Sequence, residues 1–137
     1  MVTALKFIAS YLSALAATMF VLTMIGFFVF GNETLSAALG EYMAVLIGVA
    51  LFSLPPAILF VWSHTRLEGR LNGLRFGMYG LMTAFVESSI VIWFAFNGDL
   101  ATGFGYIVSL SLAGFIGGVT ISIVWNRLTK AIPAPNR

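Results

Sequence analysis

Glu87 is the residue of this chain whose type and position could most readily support chemistry. It lies 12 residues after Arg75 and 12 residues before Asp99. In a helix that rises ~1.5 Å per residue, it would be about 18 Å from each of them. A charged group near the bilayer centre costs about 2.5 to 3.5 kcal/mol, so such residues are functional suspects. We expect Glu87 and the nearby hydroxyls of Thr83 and Ser88 to form an intramembrane polar site.

Two interpretations of Glu87 remain open. As a functional group it would relay a proton or a cation, or serve as the counter-charge of a substrate. As a structural group it would hydrogen-bond across a helix interface or pair with another subunit. Its helical face carries Gly73, Gly77, Gly80 and Ala84 at steps of three or four. This spacing of small residues is typical of close helix packing, so we expect Glu87 to point into protein rather than lipid.

Other constellations that carry chemistry are missing from the sequence. The chain has no Cys and one His, so His64 alone cannot supply both ligands of a bis-imidazole haem. The carboxylates are dispersed and lack the spacing of metal ligands. No nucleotide-binding loop or nucleophile elbow occurs. We therefore expect no enzymatic activity, no cofactor and no metal site.

The elements that must position Glu87 are membrane helices. Hydrophobic residues make up 60% and charged residues 9% of 137 positions, with a mean hydropathy of +1.01, whereas soluble domains contain roughly 25% charged residues. About 20 apolar residues cross a bilayer. Four such helices are predicted, at about 5–30, 41–62, 74–96 and 103–125, followed by a cytoplasmic tail at 126–137. The expected fold is all-α, one membrane domain over 1–137, and short loops favour an up-and-down four-helix bundle.

The cationic side chains all fall on one side of this fourfold pattern. They are Lys6, Arg66, Arg70, Arg75, Arg127, Lys130 and Arg137. Lys and Arg beside membrane helices are retained on the cytoplasmic face. We therefore expect both termini to be cytoplasmic, in a multi-pass protein of the bacterial cytoplasmic (inner) membrane. For Arg66, Arg70, Arg75, Arg127 and Lys130 this topological role is favoured over a specific lipid head-group site.

Aromatic residues support the same threading. Tyr11, Trp62, Tyr79 and Trp125 fall toward the basic side, where an interfacial belt is expected. The lipid bilayer is thus the expected partner, and nucleic acid is not.

Two further helix features are predicted to shape the packing. Pro55 and Pro56 lack backbone N–H groups and should kink the second helix, and nearby hydroxyls such as that of Ser53 could satisfy the freed carbonyls. Gly114 and Gly118 form a Gly-x-x-x-Gly step on the fourth helix. Such steps permit close approach of helices, either within one bundle or between subunits.

The two halves of the chain carry similar landmarks in the same order. Val61-Trp62 in the first half corresponds to Val124-Trp125 in the second, and each pair is soon followed by an Arg-Leu step. A tandem duplication of two helical hairpins would produce this order. Convergence is the alternative, because aromatic and basic residues belong at interfaces in any membrane protein.

Two functions of different kinds follow from the sequence. The favoured hypothesis is a non-enzymatic accessory or structural subunit of a membrane complex or homo-oligomer, because small-residue faces are available for association. The alternative is a small proton- or cation-coupled transporter or channel, in which Glu87 binds the ion and the Pro55-Pro56 break supplies a hinge or cavity.

Overall fold

The computed structural model describes residues 2–28, 36, 47–48, 50–51, 53–63, 71–95 and 97–131. This part of the chain is all-α. Its four helices are α1 (Val2–Phe28), α2 (Ser53–Ser63), α3 (Gly73–Ala95) and α4 (Leu100–Ala131). α1, α3 and α4 are long and apolar enough to cross a membrane, as expected of a multi-pass membrane protein. The predicted second span falls partly outside the described residues.

The ends of α3 are defined by capping interactions. Asn72 Oδ1 accepts hydrogen bonds from the backbone N–H groups of Leu74 at 3.0 Å and Arg75 at 3.3 Å, so Asn72 is the N-cap. At the other end Asn97 adopts a left-handed conformation with φ 50°, and Gly98 N donates to Trp93 O at 2.8 Å. This pattern is a Schellman motif. The predicted helix at 74–96 thus agrees with α3 to within one residue at each end.

α4 is longer at both ends than the sequence analysis predicts. It begins at Leu100, because Asp99 Oδ1 accepts a hydrogen bond from Ala101 N at 3.1 Å and caps the first turn. At the other end, residues 126–131 are helical, so the first part of the predicted tail continues α4.

Asn126 connects the extended end of α4 to the segment before α3. Its Oδ1 accepts a hydrogen bond from Leu71 N at 3.1 Å, and its Nδ2 donates to Leu71 O at 2.7 Å. Leu71 is buried, and the amide therefore satisfies both backbone groups of a buried residue.

α3 and α4 are antiparallel and touch through backbone atoms. Gly73 lies beside Ser122 near one end, and Gly80 lies beside Gly114 near the middle. A Cβ on Gly114 would lie 2.5 Å from the Gly80 carbonyl oxygen, and one on Gly118 would overlap the carbonyl of Phe76. Such proximity requires glycine.

α1 packs on another face of α4, also antiparallel to it. Thr18 Oγ1 donates to Ala113 O at 3.3 Å, and Ala14 lies next to Gly117. Farther along, Leu22 packs with Leu110. α4 therefore lies between α1 and α3.

α2 contacts both α1 and α3. The Tyr11 hydroxyl of α1 donates to Ala50 O at 2.6 Å, just upstream of α2. On the other side the ring of Phe60 stacks on Tyr79 with centroids 4.5 Å apart. Near the end of α2, Val61 enters a buried cluster shared by all four helices.

Candidate functional site

A cavity lies between the four helices, and Glu87 is part of its wall. It contains about 750 Å³ of space not occupied by atoms, part of which is open to the surroundings. Most of the described lining residues are apolar. The polar ones are Tyr11, Thr18, Ser53, Tyr79, Thr83 and Glu87.

One oxygen of the Glu87 carboxyl group, Oε2, is buried without a partner among the described residues. A buried acceptor without a partner costs about 1 to 3 kcal/mol, and more when it is charged. Glu87 is thus a group that would gain from contact with a hydrogen-bond donor or a cation.

The two hydroxyl residues predicted beside Glu87 behave differently. Thr83 lies one turn earlier on α3 and lines the same cavity. Ser88 does not line it, and its hydroxyl donates to the backbone carbonyl of Phe85 at 3.2 Å. Serine hydroxyls in helices commonly bond the preceding turn in this way. Thr83 and Glu87 therefore share a site that Ser88 does not join.

A polar contact that the sequence analysis missed faces Glu87 from the other side of the cavity. The Tyr11 hydroxyl lies 3.0 Å from Ser53 Oγ and donates to Ala50 O. Tyr11 was predicted to belong to an interfacial belt, whereas it is half-buried and bonded to the α2 side. In the sequence, Ser53 pointed to such a contact, because the two prolines that follow it leave backbone carbonyls without N–H donors. Such carbonyls need other hydrogen-bond partners.

Small residues explain why space remains here. Gly80, Ala84, Gly114 and Gly118 of the predicted packing faces all line the cavity. At the same time they bring the α3 and α4 backbones together. Their missing side chains therefore close the α3–α4 interface and leave the neighbouring volume unfilled.

The remaining packing glycines of α3 sit against larger α4 residues. A Cβ on Gly73 would lie 3.2 Å from Ser122 Oγ, and one on Gly77 would lie 2.7 Å from the ring of Phe115. The predicted stripe from Gly73 to Ala84 therefore faces α4 over about three turns.

Aromatic rings form the wall on the α2–α3 side. The rings of Phe60 and Tyr79 are nearly parallel, with an interplanar angle of 5°. Phe76 meets Tyr79 edge to face, with centroids 6.1 Å apart. All three side chains line the cavity, and such rings attract cations through their faces.

The prolines of α2 stand next to this wall. Pro56 lines the cavity, and Pro55 is exposed. Both lie within Ser53–Ser63. The predicted kink stays a prediction, because Phe52 is outside the described residues.

The basic residues lie apart from the cavity. Lys6, Arg75, Arg127 and Lys130 occupy the end of the molecule where α1 and α3 begin and α4 ends. Lys6 is buried, with 8% of its surface exposed, whereas the other three are exposed. Arg66 and Arg70 lie outside the described residues.

Tryptophan environments differ between the two predicted repeats. Trp62 is 55% exposed, as expected of an interfacial residue, but Trp125 is 4% exposed and packs in the core. The Trp125 ring therefore fills space among helices, and its place in the belt stays a prediction. The positions that suggested a duplication also occupy different environments.

The described residues contain no group of three or more His, Cys, Asp or Glu side chains that could hold a metal ion.

Comparison with protein-family models, with curated proteins and with solved structures finds no match.

Proposed function

We propose that this protein is a small proton- or cation-coupled transporter, and that Glu87 binds the coupling ion. The observation that carries the proposal is the position of the Glu87 carboxyl, one oxygen of which has no partner among the described residues, in the wall of a cavity lined by all four helices. Carboxylates inside membrane domains are typical of ion and proton pathways.

This proposal includes a particular membrane arrangement. The chain forms an up-and-down four-helix bundle with both termini on the cytoplasmic side of the bacterial inner membrane. Support comes from the antiparallel contacts of α4 with α1 and α3 and from the gathering of the described basic residues at one end, which is the pattern of cytoplasmic retention. The protein carries out no covalent chemistry.

The transport proposal can be tested in proteoliposomes. A pH-sensitive dye inside the vesicles would report proton flux driven by gradients of Na⁺, K⁺ or benzyltrimethylammonium. We expect wild-type protein to support flux with at least one of these cations, and Glu87→Gln to reduce it to the level of empty vesicles. Asp99→Asn is the matched control, because it also converts a carboxylate to an amide but retains an N-cap outside the cavity.

Two results would count against the transporter. Glu87→Gln could support wild-type flux, which would remove the carboxyl from the mechanism. Alternatively, wild-type vesicles could match empty vesicles with all three cations. Size-exclusion chromatography of each variant would establish that assembly is unchanged.

The accessory or oligomeric subunit favoured by the sequence is the second candidate. The small-residue faces of α3 and α4 no longer support it, because they pack on each other. One observation still does: a Cβ on Gly48 would meet no described atom within 4 Å, so a small residue upstream of α2 has room for another helix.

Mass determination after gentle extraction from native membrane tests this candidate. An accessory subunit or homo-oligomer would have a mass above that of one chain plus bound detergent and lipid. Gly48→Leu would reduce that mass to the monomer. A monomer without partners in the wild-type preparation would contradict this second function and leave the transporter untouched.

A further inference from the structure

The chemistry of the cavity wall narrows the class of ligand that Glu87 would bind. We propose that the cavity binds an organic cation, namely an ammonium group attached to an apolar body, in preference to an inorganic metal ion. This inference rests on the proposed function, since it presumes that a cation binds at Glu87.

The described wall offers too few oxygen ligands for a bare metal ion. Calcium requires about 6 to 8 oxygen ligands, and ion filters replace the hydration shell with rings of carbonyl oxygens. Glu87 is the one carboxylate among the described lining residues, and the other side-chain oxygens are neutral hydroxyls in a mostly apolar wall. The backbone carbonyls of Ala50 and Ala113 already accept hydrogen bonds from Tyr11 and Thr18. A dehydrated Ca²⁺ would therefore have only half of its charge compensated, and Na⁺ would have to draw its ligands from neutral hydroxyls on separate helices.

An organic ammonium ion needs less from its site. When its nitrogen is quaternary, its charge is spread over a weakly hydrated head, so one carboxylate together with aromatic rings can replace water. The Phe60 and Tyr79 rings are stacked on each other, so only their outer faces and edges remain for a ligand, and Phe76 extends the aromatic wall. The apolar body of the ligand would contact the remaining wall, as in most small-molecule sites.

The charge distribution of the wall is consistent with a cationic ligand. The described lining residues include no Lys, Arg or His, so no side chain among them neutralises Glu87. The described basic residues lie at one end of the helices. A cation in the cavity would thus interact with the carboxylate without a competing positive charge nearby.

Protection of Glu87 from a lipophilic carbodiimide tests the ligand class. Purified full-length protein in detergent would be treated with dicyclohexylcarbodiimide, and modification of the Glu87 peptide would be followed by mass spectrometry. The probes are benzyltrimethylammonium, its neutral carbon isostere neopentylbenzene, Na⁺ and Ca²⁺. All probes are compared at the concentration at which benzyltrimethylammonium slows modification roughly tenfold. We expect the other three to bind at least tenfold more weakly, a difference of about 1.4 kcal/mol, and therefore to slow modification less than twofold.

Each other outcome overturns the inference in a distinguishable way. Protection by Na⁺ or Ca²⁺ alone would indicate an inorganic ion, and the proposed transport function would survive. Equal protection by neopentylbenzene would indicate an apolar site without a counter-charge. If none of the probes protects, the inference fails whether or not flux depends on Glu87, and the proteoliposome assay separately decides the transport function.

A pair of cavity variants locates the bound probe. Ala57 lines the cavity, whereas Ala16 is exposed on α1. Ala57→Phe should fill space that the ligand needs and raise the half-protecting concentration of benzyltrimethylammonium by roughly tenfold. Ala16→Phe adds the same ring to an exposed position and should leave that concentration unchanged. The same half-protecting concentration in both variants would contradict binding in this cavity. If Ala57→Phe does not fold, the comparison of the four probes on the wild-type protein still decides the inference.

Discussion

α3 and α4 pack against each other through different kinds of residue from those that join α1 and α2 to their neighbours around the cavity. α3 and α4 meet through glycines, with backbone against backbone and no side chain between them at Gly80 and Gly114. α2 meets its neighbours through larger groups, such as the Phe60–Tyr79 stack and the Tyr11 hydroxyl. The first interface is closed, and the second surrounds open volume.

This contrast indicates that small residues have two effects in the same protein. Where two glycine faces meet, their missing side chains allow van der Waals contact between backbones. Where a glycine face meets bulky residues that pack elsewhere, the missing side chains leave a cavity. Glu87 lies on the same helical stripe as Gly80 and Ala84, at the border between these two environments.

The largest effect is expected from adding one methyl group to the closed interface. Gly118→Ala would place a Cβ against the Phe76 carbonyl, and separation of the two backbones should cost about 3 kcal/mol of unfolding free energy. Gly48→Ala is the matched control, since its Cβ meets no described atom within 4 Å. It should be neutral or stabilising by up to about 1 kcal/mol. Denaturant titration in mild detergent compares them, and equal stabilities would show that the interface is not closed.

A smaller effect is expected from the link between α4 and the start of α3. Asn126→Ala removes both side-chain hydrogen bonds to buried Leu71, and unpaired backbone groups there should cost about 2 kcal/mol. Thr120→Ala removes only a bond to Ile116 O within the same helix and should change the unfolding free energy by less than about 0.5 kcal/mol. The same titration measures both, and a near-neutral Asn126→Ala would mean that the bonds of Asn126 to Leu71 do not stabilise the connection between α4 and the segment before α3.

The smallest effect is expected on the open side. Tyr11→Phe removes the hydroxyl that bonds Ala50 O and Ser53, and interhelical hydrogen bonds in membranes contribute about 0.6 kcal/mol on average. Hydrogen exchange should increase at the backbone amides of Ser53, Leu54 and Ala57 in α2 and not in α4. Ser13→Ala, which removes a bond to Ala9 O within α1, serves as the control. Increased exchange throughout all four helices would mean that the α1–α2 side of the cavity does not open independently of the α3–α4 interface.

Much of the fold could be predicted from the sequence because hydropathy and the residues that cap or break helices act locally. The bounds of α3 and its small-residue stripe followed from residue types alone. The extension of α4 could not be predicted, because it depends on the bonds of Asn126 to Leu71, 55 residues away in the chain. For the same reason the burial of the Trp125 ring could not be predicted from its distance to Arg127 along the chain.

The candidate site was predictable in its charge and not in its surroundings. Glu87 stands out because it is an acidic residue in the middle of an apolar helix. The residues across the cavity from Glu87 come from α1 and α2, and the rotation of these helices about their axes depends on packing that one sequence does not encode locally. Ser88 was assigned by proximity along the chain, whereas hydroxyls in helices often bond their own preceding turn.

The central claim is that Glu87 draws cations into a cavity bordered by α2, and cysteine reactivity tests it most directly. The chain has no native Cys, so Ala57→Cys provides a single thiol in the cavity wall and Ala16→Cys provides one on the exposed face of α1. Their modification rates would be measured with a trimethylammonium-bearing methanethiosulfonate and with neutral methyl methanethiosulfonate.

We predict that the ratio of cationic to neutral rates is higher for Ala57→Cys than for Ala16→Cys. Adding Glu87→Gln should lower this ratio roughly tenfold at the first position, which corresponds to a loss of ~1.4 kcal/mol of attraction, and leave the second unchanged. A ratio at Ala57→Cys that does not respond to Glu87→Gln would contradict the account.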